Sequence, residues 1–148
     1  MRRGWMTFSV FGFFVLLLGI LPVLAGDSLY GKIIKIRSAE LVIMDYGAGQ
    51  YVIHIIGIVT PKEGPLTKKA LEFVSKLVLG KNARMRFESR NKNGEMMARL
   101  LTGDAKMDVG LELVKAGLAK RQPDYDYKYG ELSKAENEAR KAKRGLWK

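Results

Sequence analysis

The segment that most constrains the fold is residues 51–64, with the sequence YVIHIIGIVTPKEG. An apolar run rich in β-branched residues leads into Gly57, and Pro61 follows four residues later. Because β-branched residues favour strands while glycine and proline end them, the segment predicts a buried strand that stops at a turn. The rest of the chain must then supply the neighbouring strands of a sheet.

Periodicity along the chain predicts those neighbours. Strand patterns cover residues 29–37, 41–44, 51–58, 82–89 and 96–102. Helix patterns, with apolar residues three or four apart, cover residues 65–79, 107–116 and 130–144. Three strands, a helix, two strands and two helices follow the element order of an OB-fold barrel. The predicted class is therefore α+β, mainly β: a five-stranded OB-fold barrel with three helices.

The amino-terminal residues have the pattern of a targeting segment. Two arginines precede a long apolar run, Pro22 interrupts that run, and Val-Leu-Ala ends at residue 25 as a cleavage site requires. We expect residues 1–25 to be a signal peptide and residues 27–148 to be an exported domain, periplasmic or secreted. An uncleaved membrane anchor is the alternative, because about 20 apolar residues can cross a bilayer.

Composition excludes several kinds of site. The chain has no cysteine, which excludes disulfides, thiol catalysis and cysteine-ligated metals. Its single histidine, His54, excludes zinc sites built from several histidines. The formal net charge of +11 favours polyanionic partners such as nucleic acid, acidic glycans or an anionic membrane surface, although charge also serves solubility alone.

Several segments, in this order, resemble the staphylococcal nuclease (thermonuclease-like) family. They are GKIIKI at 31–36, GIVTP at 57–61, Asn93-Gly94, LVKAGLA at 113–119 and AENEARKAKRGLW at 135–147. The last of these is similar to the closing helix and Gly-Leu-Trp end of the family, and the resemblance covers residues 29–147. It implies Ca²⁺-dependent hydrolysis of DNA and RNA phosphodiesters on an OB-fold.

The resemblance also implies which positions carry the chemistry. The family needs oxygen ligands for Ca²⁺, a carboxylate that handles the attacking water, and two arginines that hold the phosphate. At the metal positions this chain has Glu40 and Val59 in place of two aspartates, while Thr60 keeps a backbone carbonyl. An aliphatic side chain at Val59 cannot bind a cation.

The acid–base and phosphate positions differ as well. Lys62 stands at the position of the glutamate, with Glu63 one residue further on, and His54 and Glu95 stand at the two arginine positions. Loss of one charged transition-state contact typically costs about 3 kcal/mol, so these changes predict a dismantled catalytic site with no confident catalytic residue.

Other residues are candidates for contacts with nucleic acid. Basic residues cluster on the last two predicted strands and their hairpin: Arg84, Arg86, Arg90, Lys92 and Arg99. Three tyrosines stand near the place where the family covers the nucleotide: Tyr125, Tyr127 and Tyr129. A solvated sheet face and ordinary loop packing are the alternatives for these two groups.

Three functions stay open on the sequence. The favoured one is an exported, non-catalytic module that binds nucleic acid, another polyanion or a protein segment, and it needs no cofactor. The second is an active metal-dependent endonuclease with a remodelled site using Glu40, Glu63 and His54, and only then is Ca²⁺ expected. The third is a structural partner of envelope proteins, with membrane contact only through an uncleaved leader.

Overall fold

The computed structural model describes residues 28–127 and 129–148, so the predicted targeting segment lies outside the described residues. The strands are β1 (Ser28–Ile36), β2 (Leu41–Asp45), β3 (Gln50–Ile55), β4 (Ile58–Val59), β5 (Asn82–Arg90), β6 (Met96–Thr102), β7 (Met107–Asp108) and β8 (Lys120–Arg121). The helices are α1 (Pro65–Val78), α2 (Val109–Lys115) and α3 (Glu131–Lys141), and a 3₁₀ turn spans Gly145–Trp147. Within these two ranges no helix has the length and apolar character needed to cross a membrane.

Five of the described strands close a barrel. β1 pairs antiparallel with β2 and with β5, β2 pairs with β3, and β5 pairs with β6. A parallel pairing of β3 with β6, with His54 opposite Met97, closes the ring and leaves these strands without a free edge. The predicted α+β class, a five-stranded OB-fold barrel with three helices, is confirmed.

The core lies inside the barrel and under the helices. β3 and β6 contribute Ile53, Ile55 and Leu100, which are fully buried. α1 covers the barrel with Ala70, Val74 and Val78, so the stripe predicted from three-to-four spacing is the face that packs. Pro65 begins this helix, because a missing N–H is harmless in the first turn.

Three predicted elements have a bound that differs from the structure by two residues or more. The third strand ends at Ile55 rather than residue 58, because Gly57 turns the chain at φ 80° and the next two residues form β4, which pairs with β8. The second helix begins after residue 107, since the Asp108 carboxylate caps it by accepting from Leu111 N at 2.9 Å. The third helix ends before residue 144, because Lys143 adopts φ 48°.

The two Gly-Leu motifs of the carboxyl-terminal half form one backbone contact. Leu146 N donates to Gly117 O at 2.9 Å. A Cβ on Gly117 would lie 2.3 Å from Arg144 O, and one on Gly145 would lie 2.1 Å from Gly117 O. Only glycine permits this approach, so the Gly117–Gly145 contact fixes the end of α3 against α2.

Candidate functional site

His54 lies on β3 between two carboxylates that come from neighbouring turns. Its Nε2 is 3.6 Å from Glu40 Oε2, and its Nδ1 is 3.7 Å from Glu95 Oε2. Glu40 immediately precedes β2 and Glu95 immediately precedes β6, the two strands that pair with β3. Barrel closure therefore assembles these three residues, which we call the His54 cluster.

The carboxylates make the imidazole more basic. The Glu40 carboxylate raises the pKa of His54 above its ordinary value, partial burial opposes that shift, and Glu95 adds to it. Burial alone would raise the pKa of Glu40, but hydrogen bonding with His54 and with the Thr60 N–H outweighs it and leaves that pKa below its usual value. The cluster therefore favours a charged imidazole beside an ionised Glu40.

Both carboxylates are also engaged by other protein groups. Glu40 Oε1 accepts a hydrogen bond from Thr60 N, in the turn after β4. Glu95 Oε2 accepts from Asn91 Nδ2 at 2.7 Å, and Glu95 N donates to Asn91 Oδ1 at 3.0 Å. These bonds fix the acids toward His54, and Asn91 is a member of this site that the sequence reasoning missed.

A groove of about 320 Å³ lies beside Glu40, between the β1–β2 turn and the start of α1. Arg37, Thr60 and Lys62 line this groove together with Glu40. The groove therefore has two basic side chains, Arg37 and Lys62, and one acidic side chain, Glu40. Val59 is 45 % exposed and lies outside this groove, in a neighbouring hollow with Lys120. Glu63 is exposed beside Lys62 and does not line the groove.

These residues do not fit Ca²⁺, the ion that the family resemblance implies. Calcium takes six to eight oxygen ligands, several of them carboxylate. Here Glu40 is the one carboxylate of the groove, its two oxygens already contact Thr60 and His54, and Lys62 places an ammonium beside it. Across residues 28–127 and 129–148, no group of three or more acids and histidines is placed to hold a metal ion.

Arg99 and Tyr127, two of the predicted nucleic-acid contacts, pair with Asp108 between the barrel and the helices. Arg99 Nε donates to Asp108 Oδ2 at 2.8 Å, and the guanidinium lies 3.6 Å from the centre of the Tyr127 ring. The Tyr127 hydroxyl donates to Asp108 Oδ1 at 3.1 Å, and this tyrosine is 4 % exposed. We call these three residues the Asp108 cluster.

The other two tyrosines differ from Tyr127. Tyr125 is half-buried, its hydroxyl donates to Glu88 Oε1 at 2.7 Å, and its ring meets that of Tyr127 edge to face at 6.1 Å. Burial and the Glu88 carboxylate raise the pKa of Tyr125 well above its ordinary value. Tyr129, at 69 % exposure, is the one of the three whose ring is largely open to solvent.

The remaining predicted phosphate contacts fall into two separate groups. Lys92 is exposed in the β5–β6 hairpin, and Arg90 Nη1 donates to Gly94 O at 3.3 Å in the same turn. Arg84 and Arg86 lie two residues apart on β5, where they are paired with residues of β1. The basic residues that the sequence predicts as one cluster therefore divide into a hairpin group, Arg90 and Lys92, and a strand group, Arg84 and Arg86.

The closed barrel, the α1 cover and the Gly117–Gly145 contact define an OB-fold domain of the nuclease type. Residues 52–148 match the family described as staphylococcal nuclease homologue, and the chain belongs to this family. The resemblance seen in the sequence is thereby confirmed.

Curated relatives agree with this assignment. The chain is 27 % identical over 127 residues to an "Uncharacterized endonuclease" of Escherichia coli O157:H7, covering 85 % of this chain and 81 % of that protein. It is 24 % identical over 128 residues to a "Thermonuclease" of Staphylococcus hyicus, covering 78 % of this chain and 74 % of that protein. An "Uncharacterized endonuclease" of Escherichia coli is 26 % identical over 127 residues, with the same shares of 85 % and 81 %.

Proposed function

We propose that this chain is a binding module of the staphylococcal nuclease family that has lost the family's Ca²⁺-dependent catalysis and binds nucleic acid or another polyanion. The observation that carries the proposal is the His54 cluster. Where the resemblance implies two guanidinium groups, this chain has one imidazole and one carboxylate, 3.7 Å apart. A second carboxylate, that of Glu40, faces the opposite side of the imidazole.

Electrostatics argue against phosphodiester cleavage at this cluster. Even with the imidazole protonated, Glu40 and Glu95 together leave a net negative charge on the three side chains. A phosphodiester becomes more negative as it approaches the transition state, and each lost preorganised donor typically costs about 3 kcal/mol. Repulsion by the carboxylates adds to that cost, so the cluster disfavours the phosphate that the family's site would hold.

The rest of the surface supports a role in binding. The formal net charge of +11 attracts polyanions over a long range. OB-fold barrels commonly bind single-stranded nucleic acid or oligosaccharides on their outer strands and loops, a use that needs no catalytic group. We place this role outside the cytoplasm on the strength of the targeting segment expected at residues 1–25. No feature of the described surface favours the third hypothesis, a structural partner of envelope proteins.

An active metal-dependent endonuclease is the second candidate, and the names of the relatives favour it. In this version Glu40 and Glu63 would supply carboxylates and His54 would supply a proton acceptor. Glu40 would first have to release Thr60 N and His54, its present partners. The second candidate therefore requires a rearrangement of the turn after β4, which the first does not.

Hydrolysis assays separate the two candidates. Purified full-length chain is incubated with single-stranded DNA and with RNA in Ca²⁺, Mg²⁺ or Mn²⁺, with chelator as the blank and an active thermonuclease as the positive control. We expect no metal-dependent cleavage above the blank. Metal-dependent cleavage that Glu40→Gln abolishes, and that Glu138→Gln on exposed α3 does not, would establish the endonuclease instead.

Binding is measured on the same preparation. The affinity for a labelled oligonucleotide is expected to fall steeply with added salt, because phosphate contacts release counterions. Absence of binding at low salt, or an affinity that salt leaves unchanged, would overturn the proposed module.

A further inference from the structure

The outer face of β1 and β5 carries a ladder of aromatic and basic side chains away from the His54 cluster. In the register of the two strands, Tyr30 lies opposite Arg84, and Ser28 lies opposite Arg86. Directly paired residues, and residues two apart on one strand, share a face of a sheet. Tyr30, Lys32, Arg84 and Arg86 therefore lie on one face, which we call the β1–β5 face.

Tyr30 is the exposed aromatic residue of this face. It is 63 % exposed, although it lies within a strand rather than at a loop tip. The Arg84 guanidinium carbon is 5.5 Å from the centre of its ring. A cation held beside an open ring is the combination that single-strand-binding proteins use for bases and phosphates together.

Arg84 keeps unused donor capacity. Its Nη2 donates to Ser28 Oγ at 3.0 Å, while its Nε is buried and has no hydrogen-bond partner in the described part of the chain. A guanidinium has five N–H donors and no acceptor, so the terminal N–H groups that Ser28 leaves unused suit an anionic ligand, whereas the buried Nε does not reach the surface. Among the described residues, neither Arg84 nor Arg86 forms an ion pair with a carboxylate.

The surroundings of the face form a shallow receptor. Tyr30 and Arg84 line a hollow of about 80 Å³ whose far wall is the loop after β6, with Asp104 and Ala105 at φ 59° and 63°. Non-glycine residues rarely adopt this conformation unless their surroundings fix it, so the loop gives the hollow a wall of fixed shape. Two acids border the face. Asp45 lies opposite Lys32 and accepts a hydrogen bond from Gly47 N in its own turn, and Asp104 lies in the wall of the hollow.

We propose that the β1–β5 face binds single-stranded nucleic acid, with Tyr30 stacking on a base and with Arg84, Arg86 and Lys32 contacting phosphates. This inference rests on the proposed function, because it names the surface and the ligand class of that binding module. A single strand is required, since the bases of a duplex are stacked on each other and do not offer a face to Tyr30. Successive cations on one strand lie about 7 Å apart, so they follow the backbone of an extended ligand.

The test uses fluorescence anisotropy of a short labelled oligothymidylate with the full-length chain, over a series of salt concentrations. Tyr30→Ala should weaken binding about tenfold or more and leave the salt dependence unchanged, because stacking carries no charge. Arg86→Gln should reduce the slope of log affinity against log salt by about 0.7, the value for one phosphate contact of a single strand.

Matched controls lie on another part of the surface. Leu79→Ala removes an exposed apolar side chain just after α1, and Lys134→Gln removes an exposed cation from α3. Both should bind the oligonucleotide as the parent chain does, and thermal melts of all four variants check that each is folded. Inorganic polyphosphate serves as a second probe, and Tyr30→Ala should leave its affinity unchanged.

The outcomes separate the two proposals. If the parent chain binds neither probe, the proposed binding function is wrong and the assigned face falls with it. If the parent binds but Tyr30→Ala and Arg86→Gln behave like the two controls, the binding function stands and the β1–β5 face is the wrong surface. If Arg86→Gln weakens both probes and Tyr30→Ala weakens neither, the face binds phosphate chains rather than bases, which overturns the assignment to nucleic acid.

Discussion

The Asp108 cluster and the His54 cluster both place a cation against carboxylate, yet their surroundings differ. In the first, the Asp108 side chain is 5 % exposed and accepts from Arg99, Tyr127 and the amide of Leu111. In the second, the His54 side chain is 33 % exposed and both of its carboxylates are 21 % exposed. The first cluster lies between β6 and the helices, and the second lies at the surface where three turns meet.

One barrel therefore carries a buried ion pair that supports the fold and an exposed charged cluster that contributes little to it. Asp108 caps α2 and neutralises Arg99 at once, so its removal leaves several buried groups without partners. The His54 cluster forms few contacts with the core, so its side chains can change without altering the strands that carry them. Side chains in such a surface cluster can therefore be exchanged while the barrel beneath them stays intact.

Asp108→Ala should produce the largest effect on stability. Removing one partner of a buried, hydrogen-bonded ion pair costs about 3–5 kcal/mol, and here a helix cap is lost as well. The free energy of unfolding in urea measures the loss. Glu95→Ala is the matched change in the exposed cluster and should cost about 1 kcal/mol or less. Equal losses for the two variants would remove the distinction between the clusters.

The contribution of His54 should depend on pH. Because the folded pKa of His54 is raised, its stabilisation is complete below the unfolded value of about 6.5 and is lost as pH rises through the higher folded pKa. The Glu40 contribution runs the other way: it is present above about 4.5 and is lost as pH falls through the lowered folded pKa. The difference in Tm between the parent and His54→Gln should therefore be largest between about pH 4.5 and 6.5.

Between these pH values, we expect the free energy of unfolding of the parent to exceed that of His54→Gln by about 1 kcal/mol, which is the scale of a partly exposed ion pair. Thermal melts of both proteins across the pH range measure it. A difference that stays constant from acid to alkaline pH would mean that the imidazole packs as a neutral ring and takes no part in an ion pair.

The smallest expected effect concerns binding. Glu95→Gln removes one negative charge from the His54 cluster, away from the β1–β5 face, so oligonucleotide binding at low salt should tighten by about twofold or less, as expected from a distant charge in water. The gain should disappear at high salt, where the charge is screened. Glu138→Gln on α3 gives the same change in net charge, so the two gains should be equal. A clearly larger gain for Glu95→Gln would place the bound strand near the His54 cluster instead of the β1–β5 face.

The fold was largely predictable because its local signals agree with one another. The three-to-four spacing of apolar residues in α1 and the Asn-Gly turn between β5 and β6 each allow one local structure. The short strands β4, β7 and β8 were not predicted, since two residues carry no measurable period. Asp108 offered a signal that was missed, because an aspartate before an apolar helical pattern is typical of an N-cap.

The site was less predictable because it depends on contacts between distant segments. The family resemblance implies that His54 and Glu95 stand at two arginine positions, but the contact between them arises only when β3 pairs with β6. Arg99, with a side chain 18 % exposed, and buried Tyr127 carry the right chemistry for nucleic acid but pair with Asp108. Charge and aromaticity in a sequence do not reveal which face of the barrel a strand residue occupies.

The Gly117–Gly145 contact has a consequence for the order in which the molecule matures. All five barrel strands are synthesised before residue 103, whereas the amide of Leu146 meets Gly117 O only after α3 is complete. A nascent chain can thus pair its strands while the two closing helices are still unanchored. Completion of the domain waits for a contact between two backbones that no side chain can replace.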